Sequence, residues 1–179
     1  LLLNIGLGNT DSVRNEGTIS VLSKLSKYKK QPKFDIHVLP TNIILNDSAW
    51  SIGQADIVYT MADQVMDIHN FSLHTDYQHI TASGRASKLA SDSIDVVLNN
   101  INLDYLLSYT EASKAISIMG PVTGNARLYS VFSDLMLEAD ASIKEGGLNG
   151  VYLGDVTAKA ELDRENKNIL IHGVVIDST

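Results

Sequence analysis

Apolar and polar residues alternate with a period of two along most of the chain. Residues 78–86 show it clearly, because one face of an extended segment would carry Ile80, Ala82, Gly84 and Ala86. The same alternation recurs in 122–129 and 134–143. Successive side chains of a strand point to opposite faces, so this period predicts half-buried β-strands.

Clusters of Gly, Asn, Asp and Ser interrupt these segments about every ten residues, as in all-β proteins. The chain is therefore predicted to be all-β, with strands at 2–7, 17–24, 34–38, 43–45, 49–52, 56–61, 65–74, 78–86, 93–101, 122–131, 134–143, 156–162 and 169–176. One short helix is expected near 102–112, where leucines recur at helical spacing and Asn102 can cap the first turn.

The length of 179 residues suffices for one domain or two small ones. We expect a single β-rich unit over 1–179, with a possible subdivision into 1–62 and 63–179. The first residues, LLLNIGLGNT, contain no initiator Met and no basic region of a signal peptide. The chain is therefore expected to be a segment excised from a much longer protein.

Charge and cysteine content exclude several classes of function. A net charge of −7 argues against a nucleic-acid-binding surface. One short basic cluster indicates either an anionic partner or a solvated loop that keeps a sheet edge soluble; it consists of Lys24, Lys27, Lys29 and Lys30. With no cysteine, the chain has neither disulfides nor a thiolate metal site.

Residues capable of catalysis or metal binding do not form a recognisable motif. The histidines lack the spacing of a metal-binding motif; they are His37, His69, His74, His79 and His172. The carboxylates fall on the polar side of alternating strands, and there is neither a Gly-x-Ser-x-Gly turn nor a phosphate-binding glycine loop. We therefore predict a non-enzymatic protein without catalytic, cofactor-binding or metal-binding residues.

Three Asp-Ser-containing triplets have the form of an O-glycosylation site used on exported proteins of Bacteroidetes. They would place the sugar on Ser12, Ser48 or Ser93.

The apolar face itself is the remaining signal. Aromatic residues make up only 6% of the chain, and many inward positions are Ala or Gly, so the interior has room. Two interpretations are open: a closed β-sandwich with a modest core, or a folded-over sheet with a groove wide enough for lipid. The residues predicted to line that groove or core are Ile80, Ala82, Val96, Leu98, Ala126, Leu128, Leu135, Leu137, Val156, Ala158 and Ile171.

Taken in order, five segments resemble the C-terminal region of the TamB branch of the AsmA-like envelope proteins, in its Bacteroidetes form. The segments are FDIHVLPTNIILNDSAWSIGQADIVY, HNFSLHTDYQHITASGRAS, DSIDVVLNNINLDYLLSY, GPVTGNARLYSVFSDLMLEADASI and GLNGVYLGDVTAKAELDRENKNILIHG. Each motif consists mainly of glycines and alternating strands, and their order and spacing cover nearly the whole chain.

The resemblance implies an elongated, curled β-sheet, described as a β-taco or a partial β-roll, with an open hydrophobic groove. It implies a periplasmic location in a parent protein anchored in the inner membrane. The implied function is passage of phospholipids between the inner and outer membranes, and assembly or secretion of outer-membrane proteins with an outer-membrane barrel partner. The implied ligands are phospholipid acyl chains or unfolded outer-membrane strands, and no cofactor is implied.

Two further expectations accompany this interpretation. The rival function is that of a structural or adhesive surface domain, a closed β-sandwich without ligand. An open groove would also leave sheet ends through which the fragment could self-associate.

Overall fold

The structure is a computed structural model that describes residues 1–8, 14–104, 117–163 and 168–176. Its strands are β1 (Leu2–Leu7), β2 (Gly17–Tyr28), β3 (Gln31–Val38), β4 (Thr41–Leu45), β5 (Ser48–Ile52), β6 (Ala55–Thr60), β7 (Val65–His74), β8 (His79–Ala86), β9 (Ser93–Asn102), β10 (Ile118–Met119), β11 (Pro121–Tyr129), β12 (Met136–Leu148), β13 (Val151–Asp163) and β14 (Asn168–Ile176).

All of these strands belong to one open antiparallel sheet of fourteen strands, which is not closed into a barrel. Its main path runs β1-β2-β3-β6-β7-β8-β9-β11-β12-β13-β14. The β4–β5 hairpin and the short β10 lie off this path. The predicted all-β class is therefore confirmed, and nearly every connection is a hairpin between neighbours.

The predicted strands all occur, although several are longer than expected. The alternation at 17–24 continues to Tyr28, and the strand predicted to end at 143 runs on through two bulges to Leu148. Leu135 was predicted to lie in that strand, but β12 begins at Met136 and Leu135 lies just before it. The short strand β10 was not predicted, and the predicted helix falls almost wholly on residues outside the described ranges.

Turn chemistry explains two of the hairpins. Asn46 and Asp47 join β4 to β5 with φ of 50° and 60°. A two-residue hairpin turn of this kind requires positive φ at both positions, and Asn and Asp tolerate it well. Lys29 and Lys30 form the same turn between β2 and β3, with φ of 49° and 65°. Half of the basic cluster is therefore a tight turn, not a loose loop.

Two bulges keep the apolar side chains on one face. In β7 the apolar positions change from even to odd numbers between Ile68 and Phe71, where the register shifts and Asn70 has φ of 59°. In β9 the same change separates Leu98 from Ile101 at a second register shift, where Asn100 has φ of 58°. An extra residue in one strand reverses its alternation, so each bulge restores the apolar face where the sequence would otherwise turn it outward.

The main core lies between the sheet and the β4–β5 hairpin, which we call the plug hairpin. Its residues Ile43, Trp50 and Ile52 are buried in one cluster with sheet residues of β2, β3, β6 and β9. The sheet members of that cluster are Val21, Val38, Ala55 and Ile101. The plug hairpin thus covers one end of the apolar face.

A smaller contact covers the opposite end. The turn after β11 folds back toward the β8–β9 connection, and the Phe132 amide donates to the Ser87 carbonyl at 3.1 Å. The Phe132 ring meets the Tyr59 ring edge-on, with centroids 6.1 Å apart. Tyr59 lies on β6, four positions from β11 along the sheet. A contact between elements so far apart in the sheet shows that its apolar face is concave here.

Substitution of Gly84 tests this packing. Gly84 has φ of +127°, and a Cβ atom there would lie 2.2 Å from the Ser93 carbonyl oxygen. We expect Gly84→Ala to lower the free energy of unfolding by about 1–3 kcal/mol. Gly6→Ala is the control, because nothing lies within 4 Å of its Cβ position, and its effect should stay within about 0.5 kcal/mol. Urea unfolding measures both, and equal effects would contradict the described strand approach.

Candidate functional site

The candidate site is the apolar face of the sheet, called the inner face below. Cross-strand partners share a face, so the strand register defines it. One row runs without interruption from β8 to β14 through Ala82, Val96, Ala126, Ala139, Ala160 and Ile171. These side chains come from segments far apart in sequence and form one continuous strip.

The inner face of β11 to β14 has a floor of small side chains between rows of large ones. Next to the Ala126–Ala139–Ala160 row runs a second small row, made of Gly124, Ala141, Ala158 and Gly173. Beyond the floor lie Leu128 and Leu137 on one side, and Val122, Ile143 and Val156 on the other. With strands spaced about 4.8 Å apart, four strands give a floor roughly 14 Å long.

All of the predicted lining residues except Leu135 lie on this inner face. The register pairs Ile80 with Leu98 and Leu128 with Leu137, and the others belong to the rows described above. Leu135 is 42% exposed and precedes the strand. The register places these residues on one face, with Leu135 outside the strand, and their role as groove or core lining stays a prediction.

Burial on the inner face decreases toward β14. Ala86 and Ile101, near the two covered ends, are fully buried, whereas Ile171 on β14 is 52% exposed. The alanines of the floor are half-buried. The main core cluster draws its members from the chain up to Leu103 and includes no residue of β11 to β14. The inner face is thus packed around the plug hairpin, and on β11 and β13 it also buries Val122 and Val156, whereas its exposed residues lie toward β14.

The opposite, outer face carries cross-strand ion pairs. Arg85 binds Asp67 through both carboxylate oxygens, at 2.6 and 3.1 Å, and Arg127 binds Asp95. In each pair the hydrogen bond that the arginine donates to the carboxylate raises the arginine pKa. These groups are exposed, so the pairs contribute little stability. Their arrangement indicates that the outer face is the solvated one.

The β12–β13 hairpin adds one more ion pair. Lys144 donates to Asp155 at 2.6 Å, and the Glu145 amide donates to the other oxygen at 3.0 Å. Both hydrogen bonds stabilise the carboxylate and hold the pKa of Asp155 below its ordinary value. This ion pair lies at the bulge of β12. The Asp155 carboxylate is therefore not part of the floor, whose rows consist of Ala and Gly.

The histidines of the described ranges lie in polar pairs on neighbouring strands. No group of three metal-ligating side chains occurs within the described ranges. His74 and His79 stack on each other with ring centroids 5.6 Å apart, and the Nδ1 atom of His37 lies 2.6 Å from an Asp56 oxygen. Both pairs lie at the polar surface of neighbouring strands. Of the candidate glycosylation serines, Ser48 is exposed at the tip of the plug hairpin, Ser93 is half-buried, and Ser12 lies outside the described residues.

One buried polar atom on the inner face lacks a partner. Trp50 on the plug hairpin is only 3% exposed, and its indole Nε1–H makes no hydrogen bond among the described residues. A buried donor left unpaired costs about 1–3 kcal/mol. The plug hairpin is therefore packed with a polar mismatch at its centre.

The plug hairpin is the part of the site that the sequence did not identify. Its strands were predicted, but their function as a cover was not. The available signal was the strong contrast between its two faces: Ile43, Trp50 and Ile52 on one side, Asn42 and Ser51 on the other. A sheet already apolar on one face would bury such a hairpin there.

The part of the chain that the structure describes contains no helix long and apolar enough to cross a membrane. Comparison of the chain with protein-family models, with curated proteins and with solved structures finds no match. The assignment of a function therefore depends on the residues and the geometry.

Replacing one alanine of the floor and one fully buried alanine by leucine distinguishes an open floor from a closed core. Ala139→Leu should change the free energy of unfolding by less than about 0.5 kcal/mol, because the floor has room above it. Ala86→Leu, at a position with no exposed surface, should destabilise by about 1–3 kcal/mol through overpacking. Urea unfolding of both variants provides the comparison. Equal destabilisation would indicate a filled core and favour the closed sandwich.

Proposed function

We propose that this chain is a non-enzymatic segment of a TamB-like envelope protein, and that its inner face shields phospholipid acyl chains in the periplasm. The parent protein would be anchored in the inner membrane, pass lipids to the outer membrane and work with an outer-membrane barrel partner. The observation that carries the proposal is the floor of small residues on β11 to β14, bounded by large apolar rows and left without a second layer of described strands.

Physical chemistry supports an acyl chain as the ligand. Each methylene exposed to water costs about 0.8 kcal/mol, so a chain crossing the periplasm must be covered along its length. Ala and Gly side chains leave space above the floor, and the flanking Leu and Val rows confine the chain sideways. The floor offers no charge or hydrogen-bonding side chain, so it would hold a chain without fixing it at one position.

The sequence resemblance also supports an apolar face that binds acyl chains. The motifs that resemble the TamB region include those that form β11, β12 and β13, where the floor lies. A curled apolar sheet is the architecture that the resemblance implies, and the concave inner face is consistent with it.

A charge placed on the floor tests acyl-chain binding. Ala126→Arg introduces a guanidinium group into the small-residue row, and we expect fatty-acid uptake by the chain to fall several-fold in native mass spectrometry. Asn125→Arg is the matched control, because the adjacent residue points to the outer face. Circular dichroism verifies that both variants fold. Equal uptake by the two variants would contradict binding on the floor.

A second candidate function, acceptance of an unfolded outer-membrane strand, is favoured by β14. This edge strand contains no Lys, Arg, Asp or Glu, and Val174 on its outer face is 64% exposed. Among the described strands it pairs only with β13. Natural sheet edges usually carry charges that prevent pairing, so an uncharged edge is suited to β-augmentation.

A lysine on the edge tests this function. Val174→Lys should abolish the hydrogen-exchange protection that an extended peptide of alternating apolar residues gives to β14 amides. Thr157→Lys is the control, since Thr157 is the cross-strand partner of Val174 on β13 and lies away from the edge. Protection that persists in Val174→Lys would contradict strand addition at this edge.

A further inference from the structure

The plug hairpin packs on the inner face, the same apolar face that carries the floor on β11 to β14. Its apolar side chains Ile43, Trp50 and Ile52 occupy the inner face near Val38 and Ala55. In the covered part of the groove, therefore, a segment of the chain itself takes the place that an acyl chain would take on the open floor.

The sheet does not need the plug hairpin for its continuity. β3 pairs directly with β6, from Lys33 opposite Thr60 to Val38 opposite Ala55. The hairpin is inserted between these two neighbours in sequence but lies beside the path in space. It can leave the inner face without breaking any pairing of the main path.

The backbone connections that hold the plug hairpin are short. At its tip the Asp47 amide donates to the Arg14 carbonyl at 3.1 Å, and the Asn46 amide donates to the Asn15 side chain at 3.0 Å. Beside them lies the bridge between Glu16 and Ile44, whose two hydrogen bonds measure 3.0 and 2.6 Å. Another is a two-residue pairing of β5 with β7, beside which the Gly53 amide donates to the Ser72 carbonyl at 3.0 Å. By contrast, β2 and β3 pair over the whole stretch from Val21 to Tyr28.

The closed position also contains one unfavourable feature. The Trp50 indole N–H is buried without an acceptor among the described residues, and on leaving the inner face it would gain one from water or from a lipid carbonyl. The hairpin fits closely on Gly17, where an added Cβ atom would lie 2.8 Å from Ile43 Cγ2, so a larger residue at this position would disturb the closed position.

From these observations we propose that the plug hairpin is a displaceable lid, and that the inner face beneath it is a second acyl-chain site that opens when the lid lifts. This inference rests on the proposed function. The ligand class is a single acyl chain, which replaces Ile43, Trp50 and Ile52 on Val21, Val38 and Ala55.

The chain is well suited to a direct test. It contains no cysteine and a single tryptophan, so an introduced disulfide is unique and fluorescence reports on Trp50 alone. Glu16→Cys with Ile44→Cys joins the lid to the sheet. Glu16 and Ile44 exchange both backbone hydrogen bonds, a pairing with Cα atoms about 5.5 Å apart, which is within the range of a disulfide.

The probe is a brominated fatty acid, which quenches tryptophan on contact. We expect quenching of Trp50 in the reduced double variant and a several-fold smaller effect after oxidation, with recovery on reduction. The control disulfide joins Asn4 to Ser20, which are paired between β1 and β2. It stabilises the sheet without touching the lid, so its oxidation should leave the quenching unchanged.

A second variant acts in the opposite direction. Gly17→Ala places a methyl group against Ile43 at a residue with φ of +134°, so it should loosen the lid. Acrylamide quenching of Trp50 in the ligand-free protein should then rise several-fold. Gly6→Ala, with open space around its Cβ position, should leave it unchanged.

The outcomes separate the two proposals. If the reduced protein binds fatty acid and quenching is the same after oxidation of Glu16→Cys/Ile44→Cys, the lid proposal is overturned and acyl-chain binding stands. If native mass spectrometry detects no fatty acid bound to the wild-type chain, the proposed function fails, and the lid proposal fails with it.

Discussion

Every other feature of this structure depends on keeping apolar side chains on one face of a sheet of many strands. Each strand reverses its faces at every residue, so a single unmatched residue would turn the apolar set outward. The bulges at Asn70 and Asn100 insert that residue where the sequence changes from even to odd apolar positions. Because both corrections occur, the inner face is continuous from the packed side to the open side of the sheet.

The continuous face combines two environments that differ in side-chain size. Near the plug hairpin, Ile, Val and Trp side chains fill the space and supply the packed core. On β11 to β13 the floor positions are Ala and Gly, which are half-buried between the buried side chains of Val122 and Val156 and the Leu128–Leu137 pair. Since burial of apolar surface is the main source of stability, the packed part can hold the fold while the open part remains available. Stability and the proposed function therefore depend on different residues of one inner face.

Much of this arrangement could be predicted from sequence. The period of two located the strands and assigned residues such as Ile80, Ala126 and Leu137 to one face, because that assignment needs only local alternation. The sequence could not reveal contacts between elements that are distant in the sheet, as between Tyr59 on β6 and Phe132 in the turn after β11, since such contacts depend on sheet curvature. The start of β12 was misplaced at Asp134 because the alternation continues into the preceding turn. The Asn residues at the two bulges were an available but unused signal.

The proposed function requires acyl chains to lie on the inner face of β11 to β14. The most direct measurement is paramagnetic broadening of methyl NMR signals by a fatty acid that carries a spin label on its chain. We expect broadening of the Ala126, Ala139 and Ala160 methyl signals, whereas the outer-face residues Val97 and Val174 should be unaffected. Broadening of both faces alike, or of none of these methyl groups while the lipid is bound, would contradict it.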